Sequence, residues 1–311
     1  MAEVKRASVI GAGTMGPGMA AVLARAGIDT ALYDVSPEAL ERAKGAVALA
    51  EGVLERLEAP KEEGGRVRFE SELAASLAGA GLVIEAVPEK LDLKQEVFRL
   101  FERHVAPDAI LASNTSGIPI TRIAAACEHP ERVVGMHWSN PPHLIPMIEV
   151  IPGEKTERAV VDATCEVIRT FGYYPVVEKE VPGFVENRIL YAILRECLDL
   201  VDRGIIDPQG LDLNVRWGIG YKLAVIGPME LLDMAGLDIY NAVASYLNRD
   251  LSTSGEVSTT IRERIAEGRL GMKTGGGIYD YTPEQIERLR AERAAKLVAV
   301  RKALQSAEVA Q

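Results

Sequence analysis

Apolar residues come in short bursts through the first 182 positions and in helical stripes after them. Val4 to Ile10, Thr30 to Tyr33, Leu82 to Val87, Ala109 to Ala112, Arg132 to Met136 and Met147 to Ile151 are short, apolar or β-rich runs. Runs of this length between helical segments predict buried strands of a parallel, doubly wound sheet. Ala20 to Ala26 reads as a small-residue helix. Ser36-Pro37-Glu38 is a helix start: a hydroxyl cap, proline at the first position and an acid in the first turn.

Val181-Pro182-Gly183 ends the alternation. Beyond it, Phe184 to Arg203 carries Ile189, Ala192, Ile193 and Leu200 at helical spacing and stops near Gly204. Further helical segments are divided by Gly227-Pro228, Gly236 and Gly275 to Gly277, and Pro283 to Gln305 is a long charged helix with a Leu/Val stripe. The pattern predicts an α/β domain over residues 1–182 and an all-α domain over 183–311. Second domains of this kind commonly dimerise, so a homodimer through the C-terminal domain is the expectation.

The length of 311 residues, with 48% hydrophobic and 26% charged, suits such a two-domain protein. A net charge of −10 argues against nucleic acid or an anionic membrane as the main partner, leaving a small molecule. No apolar stretch reaches membrane-spanning length and the charged start is no secretory signal. Cys127, Cys165 and Cys197 are too few and too scattered for a disulfide framework or a zinc site, so a reducing cytoplasm is expected. No metal is implied.

Gly11-Ala-Gly13-Thr14-Met15-Gly16 follows one predicted strand and opens a helix, the context that gives a GxGxxG motif meaning. The first glycine makes the turn, the second lets a pyrophosphate approach the backbone, and the third lets helix pack on strand. The helix N-terminus offers amides and a positive dipole end to the phosphates. Asp34 ends the second strand, eighteen residues after Gly16, where an acid accepts hydrogen bonds from ribose hydroxyls. An acid there repels a 2′-phosphate, so NAD is preferred to NADP. The fold expected is a Rossmann-type doubly wound, mainly parallel sheet.

Oxidising an alcohol by hydride transfer leaves a proton for a base, and histidine titrates close to working pH. His137 ends one strand-like run and Glu149 lies in the next, twelve residues on, so a loop-back between adjacent strands would bring them together. The carboxylate would then fix the imidazole tautomer. His143 is a rival base six residues further, in a loop after Pro141-Pro142 and without a matching acid.

Ser113-Asn114-Thr-Ser116, Met136-His137-Trp-Ser-Asn140-Pro, Glu149-Val-Ile, Val181-Pro-Gly-Phe184-Val-Glu-Asn187-Arg188, Ile226-Gly-Pro228 and Gly271-Met-Lys273-Thr-Gly275 resemble, in order, the motifs of the 3-hydroxyacyl-CoA dehydrogenase family. The resemblance implies His137 as base, Glu149 as its partner, Ser116 and Asn187 as donors to substrate oxygens, and Asn140 in support. It also implies Glu89, Lys94 and Asn114 near the cofactor, with Gly11, Gly13, Thr14, Met15, Gly16 and Asp34.

The chain departs from the CoA enzymes of that family in three places. Ser36 to Arg68, lysine-rich in those enzymes, holds seven acids against six bases, where phosphate recognition wants clustered cations. Trp138-Ser139 replaces a phenylalanine pair, and Gly218-Ile-Gly220-Tyr-Lys222 lengthens a turn. These features resemble the branch acting on small free acids, among them gulonate, carnitine and a pyridine aldehyde acid. In such an enzyme Lys222 or Arg188 would pair the substrate carboxylate. The competing readings are an L-3-hydroxyacyl-CoA dehydrogenase and a non-catalytic, crystallin-like NAD-binding protein. The β-hydroxyacid dehydrogenases need an interdomain lysine, and Pro182 to Arg203 has none.

Overall fold

The computed structural model describes residues 4–308. They divide into two compact units, with the boundary between Asn187 and Arg188. The division falls inside a helix, a few residues past the Pro182-Gly183 break.

The first unit is an eight-stranded sheet with helices between its strands. In chain order it runs β1 (Arg6–Ile10), α1 (Gly16–Arg25), β2 (Asp29–Tyr33), α2 (Pro37–Arg56), β3 (Arg66–Glu70), α3 (Leu73–Leu77), β4 (Leu82–Glu85), α4 (Leu91–His104), β5 (Ile110–Ser113), α5 (Ile120–Ala124), β6 (Val133–Trp138), β7 (Met147–Pro152), α6 (Arg158–Thr170) and β8 (Tyr174–Val177). The strand order is β3-β2-β1-β4-β5-β6-β7-β8. Pairing is parallel except between β6 and β7, which run antiparallel with His137 opposite Glu149. The order reverses direction at β1 and β4, and a crevice outside the carboxyl ends of those strands is where this architecture binds ligands.

The central strands β1, β4, β5 and β6 are buried almost throughout, as their continuous apolar runs predict. The helices pack by one stripe: α2 buries Leu40, Ala43, Val47, Ala50, Val53 and Leu54 at helical spacing. Its start is as read from sequence, with the Ala39 N–H donating to Ser36 Oγ at 3.1 Å. Two strands were not visible in the apolar pattern, and both are sheet edges. β3 alternates Arg66 and Arg68 with apolar residues, and both arginines pair with Asp29. β8 is four residues long and mostly exposed. Short or charged edges are how sheets avoid edge-to-edge association, and that composition hides them from a hydrophobicity reading.

One ion pair lies deep in this unit. Lys94 on α4 is 1% exposed and its Nζ donates to Glu85 Oε1 at 2.7 Å. Glu85, at the end of β4, also accepts the Val87 N–H and the Ser113 hydroxyl, each at 2.7 Å. The pair ties α4 to the carboxyl ends of β4 and β5.

The second unit continues α7 (Phe184–Asp202) and adds α8 (Pro208–Asn214), a π-helical turn over Val215–Gly220, α9 (Tyr221–Leu223), α10 (Pro228–Ala235), α11 (Leu237–Leu247), α12 (Thr259–Ala266) and α13 (Pro283–Glu308). Helices α8 to α12 bury no residue. None of the helices among the described residues is long and apolar enough to cross a membrane.

Removing one partner of a buried ion pair strands the other charge. Lys94→Ala should therefore destabilise the protein by about 3–5 kcal/mol, measured as a fall in the urea midpoint. A midpoint within error of the parent would show that Glu85 does not depend on Lys94.

Candidate active site

Gly11 closes β1 in a backbone conformation of φ +118°, and a Cβ there would sit 2.5 Å from the Ala86 carbonyl oxygen. Gly16 opens α1 so close to the turn that a Cβ would stand 1.9 Å from the Gly11 oxygen. Gly13 is different. It is exposed and a Cβ there would meet nothing within 4 Å. Two glycines of the motif are thus demanded by packing, and the middle one leaves an open seat above the N-terminus of α1, where Thr14 is also exposed. The unobstructed approach at Gly13, the N-terminus of α1 and Asp34 together fit the pyrophosphate and ribose of a dinucleotide. Asp34 has a second duty: its Oδ2 accepts the Ala12 N–H at 2.8 Å and its Oδ1 the Ser36 N–H at 2.9 Å. The acid holds the glycine turn against the start of α2.

The other sequence-derived positions near this crevice fall into one hydrogen-bonded group. Glu89 accepts the Thr115 hydroxyl at 2.5 Å and the Ser116 N–H at 3.1 Å, and it receives Lys94 at 3.2 Å. Lys94 therefore acts on this region through Glu89, because its own ammonium is buried. Asn114 Oδ1 accepts the Trp138 N–H at 2.9 Å, tying the end of β5 to the end of β6. Ser116 is exposed, and its carbonyl accepts the Asn187 side-chain N–H at 3.0 Å.

His137 is the fifth residue of β6, and its register partner on β7 is Glu149. Residues directly opposite in an antiparallel pair lie side by side on one face. The His137 Nδ1 and Glu149 Oε2 are 2.6 Å apart, and both side chains are almost fully buried. Glu149 Oε1 accepts the N–H groups of Val185 at 3.1 Å and Glu186 at 2.7 Å, in the first turn of α7. These N–H groups have no partner inside the helix, so Glu149 caps α7 from a neighbouring strand. Burial pushes the Glu149 carboxyl up, but the hydrogen bonds from His137 and Glu186 outweigh it and hold it below the usual range. With Nδ1–H given to Glu149, the imidazole Nε2 is left as acceptor.

Phe184 sets the ring's attitude. It is fully buried, its centroid lies 5.6 Å from that of His137, and its φ of +51° is a conformation bulky residues rarely adopt. The Val181-Pro182-Gly183 turn makes that conformation, through the Phe184 N–H to the Val181 carbonyl at 2.9 Å. Ser139, on the same face as His137, donates to Glu186 Oε2 at 2.5 Å. Trp138, between them, points to the opposite face and stacks on Phe171. A ring nitrogen of His137 and carboxylate oxygens of Glu149 and Glu186 lie within 4.8 Å of one another. Glu149 already accepts three N–H donors there.

Asn140 is exposed at the end of β6 and precedes a cis bond to Pro141. His143 is half-buried against α1, with its Nδ1 2.9 Å from where a Gly18 Cβ would stand, and burial lowers its pKa. Lys222 and Arg188 belong to the second unit and are exposed. Sequence marks Ser139 only as half of the Trp138-Ser139 departure and Phe184 and Glu186 only as members of the Val181 to Arg188 motif, and it gives Glu178 no signal.

Residues 6–181 match the family model of the 3-hydroxyacyl-CoA dehydrogenase NAD binding domain, and 183–281 that of the 3-hydroxyacyl-CoA dehydrogenase C-terminal domain. The chain is 54% identical, over 98% of its length and 100% of the relative's, to the 5-formyl-3-hydroxy-2-methylpyridine 4-carboxylate 5-dehydrogenase of Mesorhizobium japonicum. It is 36% identical to a probable 3-hydroxybutyryl-CoA dehydrogenase of Deinococcus radiodurans, over 88% of this chain and 99% of that one. A crystal structure of a 5-formyl-3-hydroxy-2-methylpyridine 4-carboxylic acid 5-dehydrogenase, described as an NAD+ dependent dismutase, superposes with a TM-score of 0.95 at 54% identity, covering 97% of this chain and 99% of that one.

The glycine turn supplies a test of the cofactor seat. Gly13→Val should leave the melting temperature near the parent value and weaken NAD at least tenfold, about 1.4 kcal/mol, in a fluorescence titration. Gly16→Ala should instead lower the melting temperature. Unaltered NAD affinity in Gly13→Val would move the pyrophosphate elsewhere.

Proposed function

The chain belongs to the 3-hydroxyacyl-CoA dehydrogenase family, and from that membership we propose that it oxidises a small free acid, an aldehyde acid of the 5-formyl-3-hydroxy-2-methylpyridine-4-carboxylate type, with NAD. The observation that carries this reading is end-to-end similarity to the enzyme of that name, well above the similarity to the CoA enzymes. The charge balance of the Ser36–Arg68 segment favours it too, since a CoA nucleotide wants a basic rim.

When bound, NAD supplies the hydride acceptor. The seat formed by Gly11, Gly13, Thr14, Met15, Gly16 and Asp34 would hold it, with Glu89, Lys94 and Asn114 shaping the neighbouring wall. The substrate aldehyde reacts as its hydrate: the carbon gives up its hydrogen as hydride, and one hydroxyl proton passes to His137 Nε2. Glu149 keeps the opposite nitrogen protonated and balances the imidazolium that forms, without itself taking the proton. Ser116 and Asn187 donate to the substrate oxygens, and Asn140 supports the histidine. Lys222 and Arg188 are the cations carried in this reading for the substrate carboxylate. Free thiols at Cys127, Cys165 and Cys197 suit a reducing cytoplasm.

We further propose that residues 183–311 form the substrate and dimerisation domain. Met229, Met234, Leu237, Ile239 and Tyr240 are each at least half exposed, in helices that bury nothing by themselves. An apolar surface of that extent marks an interface, and a second copy is the partner that closed symmetry supplies.

The test is turnover with the pyridine aldehyde acid, free 3-hydroxybutyrate, L-gulonate, carnitine and, in reverse, acetoacetyl-CoA. Products are read by chromatography as well as at 340 nm, because a dismutation accumulates no NADH. The aldehyde acid should be preferred, and His137→Ala should lower its turnover by about two to four orders of magnitude with NAD binding intact. Preference for acetoacetyl-CoA would establish the CoA reading instead. Light scattering at micromolar protein should give the mass of two chains, and Met234→Glu with Leu237→Glu should give one; a monomeric parent would overturn the dimer.

A further inference from the structure

Glu178 lies just past β8, and its N–H donates to the Val150 carbonyl at 3.1 Å, which fixes it beside β7. Its Oε1 accepts the Val185 N–H at 3.0 Å, the same N–H that Glu149 Oε1 accepts at 3.1 Å. Two carboxyl oxygens that share one N–H lie close together, and like charges that near disfavour ionising both groups and favour a proton on one of them.

Its location follows from the partners of each group. Glu149 takes the His137 Nδ1–H and two first-turn amides of α7, all of which stabilise an anion. Glu178 has half a share in one amide, and its Oε2 is buried with no hydrogen-bond partner among the described residues. The partners of Glu149 favour its anion, and the surroundings of Glu178 favour its neutral acid. Burial, with the Glu149 charge beside it, pushes the Glu178 carboxyl up to about 7. The groups facing it are Glu149 on β7, His137 on β6 and the Val185 N–H of α7.

We propose that Glu178 is a positioning residue of the proton relay: as a neutral acid it donates a hydrogen bond to Glu149 and so sets how strongly Glu149 favours the protonated form of His137. The proposal rests on His137 being the base. While Glu178 is neutral, its hydrogen bond draws charge from Glu149 and keeps the imidazole free to accept a proton. Once Glu178 ionises, a second negative charge stabilises the imidazolium, so the ring holds a proton more tightly and less of it stands unprotonated to receive one from substrate. The two titrations are coupled, so a proton arriving on His137 favours release of one from Glu178.

The four histidines make the ring spectrum simple enough to follow directly. With 15N-labelled imidazoles, the resting protein and Glu178→Gln are titrated from acid to alkaline pH. Glutamine keeps a donor to Glu149 but cannot ionise. The His137 midpoint should fall by about one pH unit in Glu178→Gln, and the acid limb of kcat/KM should move with it while plateau kcat changes less than about threefold. An unchanged His137 midpoint in a folded Glu178→Gln would overturn the proposal. Should that variant not fold, the 13C carboxyl titration of Glu178 in the parent decides: a midpoint near 7 supports the proposal and one near the ordinary glutamate range overturns it. The NMR titrations use no substrate, so they stand or fall apart from the choice of substrate. A His137→Ala variant with full turnover would remove the underlying base assignment.

Discussion

Glu149 Oε2 meets the His137 Nδ1–H at 2.6 Å, while its Oε1 takes two amides from the first turn of α7. A carboxylate this deeply buried would cost several kcal/mol to desolvate without compensation. Three N–H donors and the positive end of a 19-residue helix provide it. The same carboxylate therefore stabilises the helix start, fixes which imidazole nitrogen is protonated and joins β6 to β7. The antiparallel step in an otherwise parallel order is what makes this arrangement possible, because it sets residues twelve apart in sequence directly opposite one another.

A second hydrogen-bonded chain holds the same helix start from the other side. Lys94 and Glu85 anchor Ser113 at the end of β5, Glu89 holds the Thr115 hydroxyl and the Ser116 amide, and the Ser116 carbonyl holds Asn187. The first turn of α7 is pinned at Val185 and Glu186 by Glu149 and at Asn187 by Ser116. A site whose groups are placed before substrate arrives loses little to reorganisation, which is where electrostatic catalysis draws its advantage. Phe184, in its left-handed conformation, supplies the wall against which the imidazole rests.

Acidic side chains gather around His137. Three glutamates stand near one histidine, and their surroundings differ: hydrogen bonds hold Glu149 below the usual carboxylate range, burial and the Glu149 charge push Glu178 up, and Glu186 takes the Ser139 hydroxyl. The Ser139 hydroxyl and the α7 backbone together place the Glu186 carboxylate beside His137.

Sequence alone determined the elements that bury continuous apolar surface, because burial on both faces writes itself as an unbroken run; β1, β4, β5 and β6 were legible for that reason. It determined the glycine turn with Asp34, whose demands are local, and it paired His137 with Glu149 through the strand loop-back. The edge strands β3 and β8 stayed hidden, since a sheet edge tolerates arginine and exposure. Tertiary structure decided what periodicity and motif cannot carry: that Glu178, 29 residues beyond Glu149, shares one amide with it, that Lys94 is buried under Glu89, and that Ser139 meets Glu186. Such contacts join residues far apart in the chain, and no local rule of spacing or composition records which carboxylate will be left with the proton.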